Sequence, residues 1–98
     1  MKKVIAIGEA LIDFIPHEKG RALNNVENFL RVPGGAPLNV AAAVAKLGGK
    51  SQMLTKLGQD GFGDAILNEV KPLGVDVSRI SRTKEANTAL AFVSLRED

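Results

Sequence analysis

The chain has 98 residues, of which 45% are hydrophobic and 24% charged, a composition typical of one soluble globular domain. Its formal net charge is only +2 and its basic residues are scattered, which argues against a nucleic-acid-binding surface. The absence of cysteine excludes disulfide scaffolds and thiolate metal sites, and it is compatible with the cytoplasmic location that we expect. No apolar run reaches the length needed to cross a membrane.

The first predicted element is a buried strand. Val4 to Ile7 is a short apolar run ending at Gly8, which is typical of a parallel strand covered on both faces. Ala10 to Pro16 can continue extended, and this places Asp13 among apolar neighbours just past the carboxyl end of that strand. Ligands of open α/β sheets bind at this end. Asp13 is therefore either a ligand contact or a turn-forming acid, and the pattern alone leaves both open.

Residues 17–28 are polar and predict a loop, and Phe29 to Val32 then reads as extended because proline follows. His17, the only histidine, lies in the predicted loop with no serine or carboxylate at a recognisable motif spacing. We therefore interpret it as an exposed loop residue, in preference to a general base.

A glycine pair precedes the central helix. Gly34 and Gly35 permit a sharp turn and leave the backbone bare, and a helix is predicted from about Pro37 to Leu47. A helix start of this kind offers N–H donors and the positive end of the dipole to an electron-rich ligand. Asn39 adds two donors and an acceptor in the first turns. The pattern indicates either a small-molecule site or a tight turn followed by a capping residue.

The remaining elements alternate between strand and helix. Residues 52–57 predict a second parallel strand, Asp60 is a candidate N-cap for a helix over 61–71, and strands are predicted over 75–80 and 88–95. This alternation predicts an α/β fold with a largely parallel sheet and helices packed on it. The last strand would form an open apolar edge, so we expect the chain to be the front of a larger domain.

Two phosphate-binding motifs fail on spacing. Gly48 to Ser51 resembles the end of a P-loop, but the glycine required five positions before Gly49 is Val44, inside the predicted helix. A dinucleotide fingerprint beginning at Gly61 would need glycine where Ile66 stands, so a nucleotide-binding oxidoreductase is not favoured. Metal-ligand spacings are absent as well.

Three ordered blocks carry a family resemblance: Gly8–Pro16, Pro33–Ala41 and Leu57–Gly63. Together they resemble the ribokinase-like (PfkB) carbohydrate kinases, and within that family they are most similar to fructokinases. The resemblance covers the whole chain, with the blocks in order and correctly spaced.

The resemblance implies a Rossmann-like, largely parallel sheet with a small β-sheet lid, to which residues of about 12–32 and 75–95 contribute. It implies transfer of the ATP γ-phosphoryl group to a sugar hydroxyl with Mg²⁺ assisting, and sugar contacts from Asp13, Gly34, Gly35 and Asn39. Gly58, Asp60 and Gly63 match a family signature, which we interpret as a strand-to-helix turn with a structural role.

The same resemblance implies what residues 1–98 do not contain. The Gly-Ala-Gly-Asp segment with the catalytic aspartate, expected beyond Asp98, is missing, as is the nucleotide-binding part. We therefore expect an N-terminal, sugar-binding portion that is inactive alone and carries no catalytic, ATP or metal ligand. In the full-length protein we expect a homodimer formed through the lid. Alternatives are a related kinase acting on ribose, a nucleoside or a keto-deoxy sugar acid, and a non-catalytic sugar-binding module.

Overall fold

The computed structural model describes residues 2–95, so Met1 and residues 96–98, which belong to the predicted domain, lie outside the described part. Two α-helices, α1 (Ala36–Lys46) and α2 (Gly61–Val70), lie within it, and short 3₁₀ turns occur at Leu23–Asn25 and Lys71–Leu73. Neither helix has the length and hydropathy to span a bilayer. In chain order the strands are β1 (Lys3–Ile7), β2 (Leu11–Pro16), β3 (Phe29–Gly34), β4 (Lys50–Gly58), β5 (Val75–Asp76), β6 (Ile80–Thr83) and β7 (Ala89–Phe92).

Sheet A is parallel and is built around β4. Its strand order is β1-β4-β5, and β6 also pairs with β4 further along. Parallel neighbours require crossover connections, and α1 and α2 lie in the two crossovers that lead into and out of β4. The predicted largely parallel sheet with helices packed on it is confirmed.

Sheet B is small and mixed. Its order is β3-β2-β7, with β2 antiparallel to β3 and parallel to β7. Strand β7 lies at an edge, where Leu90 and Phe92 are exposed, as expected for the last strand. Phe92 stacks on Phe14 of β2 with ring centroids 4.8 Å apart, and Phe14 meets Phe62 of α2 edge-on at 5.8 Å. Aromatic packing therefore joins sheet B to the helical layer.

The stretch 75–95 contributes less to sheet B than the resemblance implies. Within the described residues, only β7 of this stretch joins sheet B, whereas β5 and β6 pair with β4. Val75 is 4% exposed and belongs to the hydrophobic core. After α2 the chain returns to sheet A, on which α2 packs. Val75 is buried there beside β4, and this completes the crossover from β4 to β5.

Within residues 2–95, the hydrophobic core lies mainly between sheet A and the two helices, and Ile12 of sheet B belongs to it as well. The Ser51 hydroxyl donates to the Ala41 carbonyl at 2.7 Å, which satisfies a buried polar group and holds α1 close to β4. Small side chains on α1 permit this close approach. The larger core members from strands and helices are Leu38, Met53, Leu57, Ile66 and Val70.

The prediction that the first strand is covered on both faces is wrong for these residues. Ala6 is 7% exposed against the helices, but Ile5 and Ile7 point to the opposite face and are 52% and 71% exposed. Residues of both helices belong to one core cluster, so the described chain covers only one face of β1. The apolar run was read correctly as a strand, but nothing within residues 2–95 packs on its other side.

Candidate functional site

Three chain segments meet at the carboxyl end of β1. Gly8 follows β1 with φ +144°, and a Cβ on it would lie 2.9 Å from the Pro37 Cγ in the first turn of α1. Gly35 joins β3 to α1 with φ +99°, and a Cβ there would lie 2.6 Å from the Glu9 carbonyl oxygen. Both glycines have a positive φ, and a side chain would meet the Pro37 ring at Gly8 and the Glu9 backbone at Gly35, so glycine is favoured at both positions. This edge of the sheet is where ligands of open α/β folds bind.

Asp13 lies directly over Gly34. The two residues are on paired strands, since Asp13 aligns with Val32 and Leu11 with Gly34 in the β2–β3 ladder. A Cβ on Gly34 would overlap the Asp13 Oδ2, so the bare face of the glycine is the space that the carboxylate occupies. The sequence pattern points to both residues but contains no signal for this contact.

The Asp13 carboxylate is open to a ligand. Hydrogen bonds among residues 2–95 engage the carboxylates of Asp60, Asp64 and Asp76, but not that of Asp13. Asp13 is half-buried beside the glycine pair, so part of the residue remains exposed to solvent. A carboxylate in this position can accept hydrogen bonds from hydroxyl groups of a polyol.

The N-terminus of α1 adds donors at the same place. Its N-cap is Gly35, which has no side chain to cap the helix, and the first turn contains no acidic residue. The Asn39 N–H donates to the Gly35 carbonyl at 3.0 Å and begins the helical ladder. Earlier N–H groups in the turn have no intrahelical partner and form the positive end of the helix dipole.

Asn39 occupies the fourth position of α1 and is exposed. It lines a cavity of about 150 Å³ between α1 and α2, together with residues such as Leu38 and Glu69, and Asp13 is not among the lining residues. That volume is below the roughly 300–1,000 Å³ of typical small-molecule sites, so we assign no ligand to the cavity itself. The structure thus brings Asp13 and the glycine pair together, and the convergence of Asn39 on the same ligand stays a prediction.

Asp60 does more than the sequence indicated. It caps α2 as expected, accepting from the Gly63 N–H at 2.8 Å, and it also accepts from the backbone N–H and hydroxyl of Thr88, both at 2.8 Å. The hydrogen bonds from the Thr88 and Gly63 N–H groups hold the pKa of Asp60 below its ordinary value. Sequence reasoning missed Thr88, because a partner 28 residues away leaves no local pattern.

Two further observations concern His17 and the side chains that could bind a metal ion. His17 is exposed, and its backbone N–H donates to the Asn28 carbonyl at the end of the β2–β3 connection. Residues 2–95 contain no group of three or more His, Asp or Glu side chains that could hold a metal ion.

Replacing Gly35 with alanine is expected to destabilise the fold by about 3 kcal/mol, because the new Cβ would combine a positive φ with a backbone clash. The matched control is Gly61→Ala at the start of α2, where a Cβ meets nothing within 4 Å. Urea unfolding followed by circular dichroism should show a large loss for the first variant and little change for the second. Equal stability of the two variants would contradict the close approach at Gly35.

Comparison with known proteins gives a consistent result. Residues 1–98 match the pfkB family of carbohydrate kinases along their whole length. A fructokinase of Solanum tuberosum is 50% identical over 95 residues, which cover 97% of this chain and 30% of that protein.

Two solved structures share the fold. A fructokinase from Xylella fastidiosa with bound ATP is 45% identical with a TM-score of 0.83, over 95% of this chain and 29% of that one. A sugar kinase from Pyrococcus horikoshii in complex with ATP is 41% identical with a TM-score of 0.89, over 93% of this chain and 30% of that one. The expected ribokinase-like architecture is confirmed, and the chain spans about a third of the length of these relatives. Because the family matches the whole chain, residues 1–98 belong to the pfkB family of carbohydrate kinases.

Proposed function

We propose that the protein containing this chain is an ATP-dependent sugar kinase with fructose as its acceptor, and that residues 1–98 are its sugar-binding portion. The observation that carries the proposal is the open carboxylate of Asp13 over Gly34, beside the uncapped start of α1. The 50% identity to a fructokinase favours fructose among the possible acceptors.

The chemistry of this arrangement suits a sugar. Each sugar hydroxyl donates and accepts, so the Asp13 carboxylate and the Asn39 amide can read the arrangement of several hydroxyl groups. The Asp13 carboxylate and the Glu9 carbonyl occupy the places that side chains on Gly34 and Gly35 would take, so these glycines would meet the sugar only through their backbone atoms. A site built to hydrogen-bond a hydroxyl discriminates strongly against analogues that lack it, because its own polar groups are then left unpaired.

The nucleotide side of the reaction is proposed to lie outside residues 1–98. ATP, with Mg²⁺, supplies the phosphoryl group and part of the charge stabilisation that its transfer needs. The catalytic aspartate is proposed to follow Asp98, in the part of the kinase that corresponds to the other two thirds of its relatives. The uncovered face of β1, with Ile5 and Ile7 exposed, supports the proposal that further chain packs there in the whole kinase.

The 98-residue chain alone is expected to show no ATP-dependent phosphorylation of fructose, because phosphoryl transfer requires a positioned nucleotide and base. A coupled assay that detects ADP formation, run beside the full-length protein at equal concentration, checks this. Sugar-dependent turnover by the short chain would contradict the proposed division of the site.

A panel of acceptors separates the alternatives. The full-length protein should give a higher kcat/KM for fructose than for ribose, a nucleoside or a keto-deoxy sugar acid. A preference for one of these would keep the kinase but change its substrate. Sugar binding by titration calorimetry without any turnover would instead favour a sugar-binding module.

We also propose that the full-length kinase is a cytoplasmic homodimer that pairs through sheet B. The outer strands of this sheet, β3 and β7, expose Leu30, Leu90 and Phe92, which are 53%, 41% and 53% exposed. An exposed apolar edge of this kind is a natural surface for pairing with a second copy. Analytical ultracentrifugation of the wild type and of Leu90→Ser should show a dimer that weakens in the variant, and a wild-type monomer would refute the proposal.

A further inference from the structure

We propose that Asp60 is a positioning residue for sugar binding, because with Thr88 it forms a clamp that fixes sheet B onto the end of β4 and the start of α2. The inference rests on the sugar-kinase function proposed above. Asp60 itself lies outside the predicted sugar contacts, so its effect would be transmitted through strand β7.

The chain crosses between sheets A and B at three places. The first crossing contains Gly8 and the second contains Gly35, both with positive φ, and among the described residues no side-chain hydrogen bond joins sheet A to sheet B at either of them. The third runs from β6 to β7 and ends at Thr88, which is 4% exposed. Within residues 2–95, side-chain hydrogen bonds connect the two sheets only at this crossing.

The clamp at the third crossing is fully hydrogen-bonded. The Asp60 Oδ2 accepts from the Thr88 N–H at 2.8 Å, and its Oδ1 accepts from the Thr88 hydroxyl at 2.8 Å. The same hydroxyl oxygen accepts from the Gly58 N–H at 3.0 Å. Arg82 braces the turn by donating through Nε to the Gly58 carbonyl at 3.0 Å and through its terminal nitrogen to Asp64 at 2.9 Å.

Gly58 and Gly63 leave room for the contact between Asp60 and Thr88. A Cβ on Gly58 would overlap the Asp60 Oδ2 and lie 2.6 Å from the Thr88 nitrogen. A Cβ on Gly63 would lie 2.5 Å from the Gly58 carbonyl oxygen and 2.9 Å from an Arg82 guanidinium nitrogen. The Gly-x-Asp-x-x-Gly pattern is therefore more than a strand-to-helix turn, since its two bare positions make room for the third crossing.

A short path leads from the clamp to the sugar-binding acid. Thr88 immediately precedes β7, whose first residue Ala89 pairs with Leu11, and Ala91 pairs with Asp13 two positions later. Strand β2 thus lies between β7, which the clamp anchors, and β3, which carries Gly34. Fixing the start of β7 fixes the place of the Asp13 carboxylate relative to the N-terminus of α1.

Asp60→Asn tests the clamp with little change in shape. Asparagine is as good an N-cap as aspartate, so its oxygen can retain the Gly63 N–H. Its amide nitrogen would then face the Thr88 N–H as a second donor, and that hydrogen bond is lost. The matched control is Asp64→Asn, an exposed aspartate of the same helix that contacts Arg82 but not Thr88.

In the full-length protein we expect Asp60→Asn to raise the KM for the sugar about tenfold, with the KM for ATP changed less than twofold and Asp64→Asn near the wild type. Thr88→Val should raise the KM for the sugar as Asp60→Asn does. Thr88→Ser keeps both hydroxyl contacts, so its KM for the sugar should stay close to that of the wild type. A sugar KM within twofold of the wild type in folded Asp60→Asn, or an equal rise in both KM values, would overturn the proposal and leave only a structural role.

Hydrogen exchange separates this inference from the proposed function. The amides of β7 and β2 should exchange at least tenfold faster in Asp60→Asn than in Asp64→Asn, whether or not the protein phosphorylates a sugar. If the wild type neither binds nor phosphorylates any sugar, the proposed function fails, and unchanged exchange would refute the clamp independently. Should Asp60→Asn not fold, Thr88→Val and Thr88→Ser supply the same two measurements.

Discussion

Asp13→Asn in the full-length protein is expected to lower kcat/KM for the sugar by about 100-fold. The substitution keeps the size of the side chain but replaces a charged acceptor, and a hydrogen bond to a charged group contributes about 1.5–3 kcal/mol. The carboxylate has no hydrogen-bond partner among the described residues. Its loss should therefore weaken sugar binding without lowering the stability of the fold. Steady-state kinetics with varied sugar and saturating ATP measures the effect.

Glu27→Gln is the matched control, because it neutralises an exposed carboxylate in the loop that precedes β3. This variant should remain within twofold of the wild type. Equal activity of Asp13→Asn and Glu27→Gln would show that Asp13 does not contact the sugar. It would contradict the proposed sugar-binding role of residues 1–98.

Combining Asp13→Asn with Asn39→Ala tests whether the two side chains contact the same sugar molecule. Residues that contact the same ligand should show a coupling energy of about 0.5–3 kcal/mol in a double-mutant cycle on kcat/KM. Additivity within about 0.5 kcal/mol would place Asn39 in a separate role, as a residue of the cavity between α1 and α2.

Gly34→Ala is expected to impair sugar binding about tenfold or more while the protein still folds. The new methyl group would overlap the Asp13 Oδ2, and the end of a side chain can move aside where a backbone atom cannot. Gly34 does not have a positive φ, so alanine adds no backbone strain there. The KM for the sugar should rise, and circular dichroism and urea unfolding should show a fold less perturbed than that of Gly35→Ala.

The explanation can be checked by removing the carboxylate first. In an Asp13→Ala background, Gly34→Ala should cost little further activity, because no side chain remains for the methyl group to displace. A full additional loss in that background would mean that Gly34 acts on the ligand by another route, such as direct contact between backbone and sugar.

Most of the architecture follows from local patterns. An apolar run ending at Gly8 predicted β1, and weak alternation of apolar and polar residues ending at Gly58 predicted β4. Helical spacing with an N-cap at Asp60 predicted α2. These signals succeed because each depends on neighbours within a turn or a strand. The stretch after α2 was less clear, since β5 and β6 are two short strands where one was predicted.

Local patterns do not show which sheet a strand joins or which of its faces is buried. The same apolar run that predicted β1 also predicted burial on both faces, which depends on what packs against the strand and not on the strand itself. Likewise, nothing local shows that the strands of 75–83 return to sheet A and that β7 crosses to sheet B. These choices are made by the packing of distant elements.

The sequence by itself determined the glycine-led entry to α1, the acid beyond the first strand and the family to which both belong, because spacing along the chain carries that information. Tertiary structure alone decided that the Asp13 carboxylate occupies the bare face of Gly34 and that Asp60 binds Thr88. Both contacts join residues more than 20 positions apart, and such pairs are fixed by strand register and crossing points that only the folded chain defines.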